Sequence, residues 1–456
     1  MKTDSKKIVV AGGGLVGCLI ALRLLQRGFD VSVFEQREDM RQTPMRAGRS
    51  INLALSPRGI RALALCGLDE KLLSQAIAMK GRLVHSVEGS VQFQAYSVRP
   101  GDCIHSISRG TLNCSLLDAI DALKPGALHF NQRLTRIEED GARVIFENAQ
   151  GQPTELCDSI LIASDGAGSA ARKWMLSRTP GFHFSYSQHF QDYGYKELTI
   201  GPRPDGGFAL QGDVLHIWPR GHFMMIALPN PDKSFTATLF LPYQGKEGFN
   251  ELNTNERLLA FLSDHFPDAT GLIENPEAEF FNNPTGYLYT VKCKPWHYGE
   301  RILLIGDAAH AIIPFYGQGM NCGFEDVGIL DKLLDQFGDW HSLFASFSSI
   351  RKPNGDAIAD LAEDNFLEMR DKVADPVFQE KRKLELRLEQ AFPEYYSKYS
   401  MVTFRPDLSY YTAMVRGRQQ DAFLMDVCKT GPIPETDAQL QELYRKLQEM
   451  IKRTGE

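Results

Sequence analysis

The sequence has eight cysteines but no C-x-x-C pair, and no histidine cluster stands near any of them. Neither a zinc site nor a disulfide framework is indicated, no metal is expected, and a reducing cytoplasm is the expected compartment. Positive charge is not in excess: Lys and Arg total 50 against 57 Asp and Glu, a net charge of -7. That sign excludes a general binder of nucleic acid or anionic membrane, so any polyanion must be held locally. Also lacking is an apolar run of about 20 residues, the length a membrane span needs. The nearest approach, Ile8 to Leu22, contains three consecutive glycines and is followed by Arg23 and Arg27 rather than by a small-residue cleavage site. It reads as folded core, and the chain as a soluble protein without a transmembrane anchor. Internal repeats and low-complexity tracts are missing too.

What is present is bulk. The 456 residues are 43% hydrophobic, which at roughly 150 residues per domain corresponds to two or three domains. Ile8 to Ala11 is β-branched, Gly12 to Gly14 breaks the run, and Leu15 to Leu25 suits a buried helix. Gly28 stops that helix, and Val31 to Phe34 reads as a second strand ending at Glu35, the spacing of a βαβ unit. The opening is thus α/β with parallel strands. Two later apolar strands end in Asp165-Gly166 and Gly306-Asp307. Between them, Val214 to Leu228 and Ser234 to Leu241 alternate with period two, which predicts an inserted antiparallel sheet. From Met320 to about Gln390 the pattern is helical, and Leu440, Leu443, Leu447 and Met450 share one face of a last helix.

Gly12, Gly14 and Gly17 form G-x-G-x-x-G between a strand and a helix, answered by Glu35 at the end of the next strand. Gly12 allows the turn, Gly14 lets backbone approach a pyrophosphate, Gly17 lets helix and strand pack, and the helix N-terminus favours the phosphates. A second match at Gly166 to Ala171 lacks a following strand ending in an acid, and is not counted as another nucleotide domain. Gly306-Asp307, followed by Gly317, Gly319 and Asn321, suits a carboxylate that binds a polyol beside a helix start, or merely a capped helix. His310 reads as a satisfied core or cap histidine.

Taken together, G-x-G-x-x-G with Glu35, Asp165-Gly166 and Gly306-Asp307, in this order and spacing, resemble the single-component FAD aromatic hydroxylases, whose fold is that of p-hydroxybenzoate hydroxylase. Within that family, GRSINLALS at 48–56, LHIWP at 215–219, FMMIALPN at 223–230, PFYGQGMN at 314–321 and YSMVTF at 399–404 are similar to members that hydroxylate kynurenine. The likeness runs nearly the whole chain, up to about Arg418. It implies a Rossmann-like FAD-binding domain over 1–180, with an excursion toward the substrate site near 80–100, and an antiparallel-sheet substrate domain over 181–298. The second part of the FAD-binding domain would span 299–375 and a C-terminal helical region 376–456.

The resemblance also implies bound FAD, with NADPH and O₂ as co-substrates and a flavin C4a-hydroperoxide as the oxygenating species. The reaction would take L-kynurenine to 3-hydroxy-L-kynurenine, in tryptophan catabolism and pyridine nucleotide biosynthesis. Beside Gly12, Gly14 and Gly17, FAD would meet Val16, Phe34, Glu35, Gln36, Arg37, Ala54, Arg109 and Leu134. Asp165, Asp307, Gly319, Met320 and Asn321 would complete that set. Arg82, Tyr96, Asn365 and Tyr399 would hold the substrate, the guanidinium of Arg82 taking the carboxylate in a bidentate pair beside the Tyr96 hydroxyl. Asn365 would bind the carboxylate while Glu368, three residues on, answers the ammonium or supports the site; the plain alternative for Glu368 is an exposed helix charge. Leu215, Met224, Ile226, Phe240, Pro314 and Phe315 would form apolar walls. No catalytic base is assigned, because the aniline nitrogen already activates its ortho carbon.

The chain departs from the family in three places. Tyr316 stands where relatives carry Phe or His, Gly110 follows Arg109 where an acid is common, and the C-terminus has an amphipathic helix where animal members carry a membrane anchor. Rival readings are an FAD hydroxylase of another aromatic acid, a flavin halogenase, whose W-x-W-x-I-P segment is absent, and a non-enzymatic flavin redox sensor. The oligomeric state is left open.

Overall fold

The computed structural model describes residues 6–42, 52–178, 181–369 and 375–454. Of the segments singled out above, residues 48–51 lie outside the described residues. A six-stranded sheet carries parallel strands in the order Ile302–Leu304, Ile160–Ala163, Ile8–Ala11, Val31–Phe34 and Leu128–His129, with His297–Tyr298 antiparallel at one edge. Every residue of Ile8–Ala11, Val31–Phe34 and Ile160–Ala163 is buried, as expected of central parallel strands covered on both faces. Helix Leu15–Gln26 follows the first strand directly and buries most of its length against that sheet, which is why its residues are apolar nearly all round.

A seven-stranded sheet runs in the order Gly286–Lys294, Ser185–Ile200, Phe235–Pro242, Met224–Pro229, Leu215–Pro219, Gly81–His85 and Val91–Ala95. Its one parallel joint, Leu215 opposite Arg82, recruits two strands from far earlier in the chain. The 16-residue strand Ser185–Ile200 was not foreseen, because its first half is polar and exposed and shows no alternation. Period two divides this sheet into faces. Trp218, Met225, Ala227, Ala237 and Leu239 pack under helix Asn255–His265, while Met224, Ile226 and Phe240 face the opposite way.

Helices Gly319–Gln336 and Trp340–Leu367 lead to the C-terminal helices Pro376–Ala391, Lys398–Phe404, Tyr410–Thr430 and Asp437–Thr454. The last of these turns Leu440, Leu443 and Leu447 inward against Leu384, Leu388 and Leu424, so its amphipathic face is spent on the protein itself. Among the described residues no helix is long and apolar enough to cross a membrane. All eight cysteines are free.

Candidate active site

Between the two sheets lies a cavity of about 810 Å³. Gly12, Gly14, Val16, Phe34, Glu35, Gln36, Arg37, Ala54, Arg109, Leu134, Asp165, Asp307, Gly319 and Met320 line it from the side of the parallel sheet and its loops. Arg82, Tyr96, Leu215, Met224, Ile226, Phe240, Pro314, Phe315, Tyr316, Asn365 and Tyr399 line it from the other sheet and the helices. Three residues expected at the site do not face it: Gly17, Asn321 and Glu368.

Gly17 sits behind the turn. A Cβ there would lie 1.9 Å from the Gly12 carbonyl oxygen and 2.3 Å from Ser164 Oγ, so only glycine lets the helix pack against the first turn. At Gly14 a Cβ would meet nothing within 4 Å, which leaves bare backbone open to the cavity at the helix N-terminus. Glu35 Oε2 accepts from Gly13 N at 2.7 Å, while Oε1 accepts from Arg37 N at 3.0 Å and Arg37 Nε at 2.7 Å. Burial works to raise its pKa, but the Arg37 hydrogen bonds and charge outweigh it, so the carboxylate is held below its ordinary range. It is a fixed, ionised acceptor at the strand end.

Asp165 Oδ2 accepts from Ala170 N at 2.7 Å and so caps helix Ala170–Ser177, but its buried Oδ1 has no partner among the described residues. Asn321 differs from expectation because its side chain is spent. Nδ2 donates to the Ala54 and Gly317 carbonyls at 2.8 and 2.9 Å, and Oδ1 accepts from Ser56 N at 3.0 Å. Only its backbone is left to meet a ligand. An open glycine turn, a fixed acid at the second strand, an orphaned Asp165 oxygen and Asp307 on the cavity wall fit FAD.

His310 is a core histidine: Nε2 lies 2.6 Å from Asp326 Oδ2. Asp326, fully buried, also accepts from Arg351 Nε at 2.6 Å and from Gly306 N at 3.1 Å. The carboxylate therefore pins the Gly306–Asp307 turn from beneath. Although Cys322 is also close, these bonds leave the carboxylate no role as a metal ligand. Sequence reasoning missed this network, because Asp326 and Arg351 read as ordinary helix charges until packing buries them.

At the other end, Arg82 Nε donates to Gln94 Oε1 at 2.9 Å, and among the described residues no acid pairs with the guanidinium. Burial lowers its pKa, the signature of a charge lacking its counterion. Tyr96 is buried and its hydroxyl has no partner among the described residues. Its ring stacks on Tyr399 at 5.5 Å, and Tyr399 stacks on Tyr316 at 5.8 Å. Two expectations are corrected here. Asn365 Nδ2 donates to the Phe315 carbonyl at 2.7 Å and to Met369 Sδ at 3.3 Å, which occupies both its hydrogens and leaves the oxygen, an atom suited to an ammonium rather than a carboxylate. Glu368 lines a small pocket beside the cavity, shared with Arg82, Tyr96, Asn365 and Tyr399, and its carboxylate is 2.7 Å from Lys398 Nζ, itself 2.6 Å from Asp421. It is half-buried and paired, not the exposed helix charge of the plain alternative.

Residues 5–362 match the FAD binding domain family. The fold is shared with 2-methyl-3-hydroxypyridine-5-carboxylic acid oxygenase, at a TM-score of 0.65 and 20% identity over 85% of this chain and 96% of that one. It is shared also with p-nitrophenol 4-monooxygenase from Pseudomonas putida, at 0.64 and 16% over 99% and 98%. The chain thus belongs to the FAD binding domain family and has the fold of these oxygenases. The chain is 44% identical to the kynurenine 3-monooxygenase of Myxococcus xanthus over 94% of its own length and 92% of that protein's. Against the kynurenine 3-monooxygenase of Flavobacterium psychrophilum the identity is 40% over 98% and 99%. It belongs to the kynurenine 3-monooxygenase family.

Proposed function

We infer that this chain hydroxylates L-kynurenine to 3-hydroxy-L-kynurenine, consuming NADPH and O₂. The observation that carries the reading is a half-buried guanidinium, without an acid partner among the described residues, at one end of a cavity whose other end is the G-x-G-x-x-G turn. A charge held partly out of water without a counterion is costly, so the site calls for an anion attached to an apolar body. An aromatic amino acid is such a molecule.

Gly12, Gly14 and Glu35 would hold the ADP part of FAD, with Asp165, Asp307 and Arg109 along the rest. When bound, FAD supplies the transfer of reducing equivalents from NADPH and the activation of O₂. Arg82 and the free Tyr96 hydroxyl hold the substrate carboxylate, and Asn365 Oδ1 accepts from its ammonium. Met224 and Ile226, two apart on one strand, form the floor with Phe240, while Tyr316 and Tyr399 flank the ring. Fixing the amino-acid end sets which ring carbon meets the activated oxygen, and the apolar walls exclude water from it. The residues 1–180 with 299–375 act as the cofactor unit, apart from the excursion near 80–100, which joins 181–298 as the substrate unit, and 376–456 act as its helical cover, in the cytoplasm.

The carboxylate reading predicts that L-kynurenine binds at least about 100-fold more tightly than its decarboxylated amine, a contrast worth roughly 3 kcal/mol for a buried charge-assisted pair. Titration of the flavin spectrum with both compounds measures it. Equal affinities would remove Arg82 from the substrate's acid group.

A further inference from the structure

Among the described residues Arg82 donates one hydrogen bond, and its acceptor is Gln94 Oε1 at 2.9 Å. The two residues stand directly opposite on the antiparallel strands Gly81–His85 and Val91–Ala95, the second of which is the edge of its sheet. Side chains paired in this way point to the same face and hold one another. Arg82 Nε can only donate, so the amide of Gln94 must present its oxygen. Neither Nη group donates to a described residue, and Arg82 lines both the main cavity and the small pocket beside it.

A guanidinium can grip a carboxylate along either of two edges, through Nε with one Nη or through both Nη groups. Gln94 occupies the first edge and leaves the second to a ligand. The neutrality of this partner matters as much as its place. Four cations and three acids line the small pocket: Arg82, Lys381, Arg382 and Lys398 against Glu368, Glu385 and Asp421. Lys398 lies 2.7 Å from Glu368 and 2.6 Å from Asp421. Lys381 lies 2.8 Å from Asp421 and 3.2 Å from Glu385, and Arg382 lies 3.2 Å from Glu385. The acids are spent on the other three cations, so Arg82 is the charge left over. An amide at position 94 fixes that charge without neutralising it.

We propose that Gln94 is a positioning residue for substrate recognition: its amide oxygen fixes the Arg82 guanidinium with both Nη groups free for the substrate carboxylate, and its lack of charge keeps the site selective for an acid. This rests on the reading of Arg82 given above. A carboxylate at position 94 would itself become the counterion and displace the one that the substrate brings. An apolar side chain there would leave the charge in place but release the planar fork, so that binding must also order it.

The test titrates the flavin spectrum of the FAD-loaded wild type, Gln94→Glu and Gln94→Met with L-kynurenine and with its decarboxylated amine. Gln94→Glu should bind L-kynurenine on the order of 100-fold more weakly and lose the preference for it over the amine. The Tm of its substrate-free form should not fall, because Arg82 has gained a counterion. Gln94→Met should bind L-kynurenine about tenfold more weakly and still prefer it to the amine. A merely structural Gln94 would instead lower the Tm in Gln94→Met and leave the ratio of the two affinities unchanged in both variants. That pattern, or Gln94→Glu that binds L-kynurenine within about twofold of wild type with its preference intact, would overturn the proposal. If Gln94→Glu does not fold, Gln94→Met decides, and an affinity within about twofold of wild type overturns it. Wild-type protein that binds the two compounds equally would overturn the reading of Arg82 and the proposal with it, a failure visible before any variant is compared.

Discussion

Arg82→Ala is expected to raise the KM for L-kynurenine by roughly 100-fold, about 3 kcal/mol, and to divert much of the remaining NADPH oxidation into hydrogen peroxide. The first effect follows from losing the counterion of the substrate carboxylate. The second follows from losing its anchor, since a ring free to slide no longer presents one carbon to the activated oxygen. Arg82→Lys keeps the charge but not the planar fork and should recover only part of the affinity. Because Arg82 has no acid partner among the described residues, Arg82→Met should not lower the Tm of the substrate-free protein. A structural role for Arg82 would instead appear as a loss of Tm with kynurenine affinity unchanged.

Gly14→Ala and Gly17→Ala should separate cofactor binding from folding. The Gly17→Ala methyl group would overlap the Gly12 carbonyl oxygen at 1.9 Å, so helix and turn must move apart. The cost is about 3 kcal/mol or more, and the protein should be unstable as well as colourless. The Gly14→Ala methyl group meets no protein atom within 4 Å. That variant should fold with an unchanged Tm in its flavin-free form, yet bind FAD at least about 100-fold more weakly because the methyl stands where the pyrophosphate must approach. Flavin content and thermal unfolding of the two purified variants check both expectations. Wild-type flavin content in Gly14→Ala would remove this turn from the cofactor site.

The parts of the site legible in the sequence are those where backbone geometry dictates residue type locally. Gly12, Gly14, Gly17 and Glu35 announce themselves because a tight turn, an open approach and a close helix contact each exclude side chains at fixed spacing. Arg82 carries no such local mark. Its place depends on a parallel pairing with Leu215, more than a hundred residues away, and reached the sequence reading only through family likeness. Asn321 and Glu368 were located correctly along their helices but not in orientation. Their side chains turn to Ser56, Ala54 and Gly317 in one case and to Lys398 in the other, partners that no spacing rule reveals. Asp326 was invisible for a related reason. A charge in a helix or on a polar-looking strand reads as solvated until neighbouring elements bury it.

NADPH oxidation by the FAD-loaded protein, with and without L-kynurenine and with the product identified, tests the central claim most directly. The account predicts strong stimulation by L-kynurenine, with 3-hydroxy-L-kynurenine formed in step with the NADPH consumed. NADPH oxidation that is indifferent to L-kynurenine, or that yields hydrogen peroxide and no hydroxylated product, would contradict it.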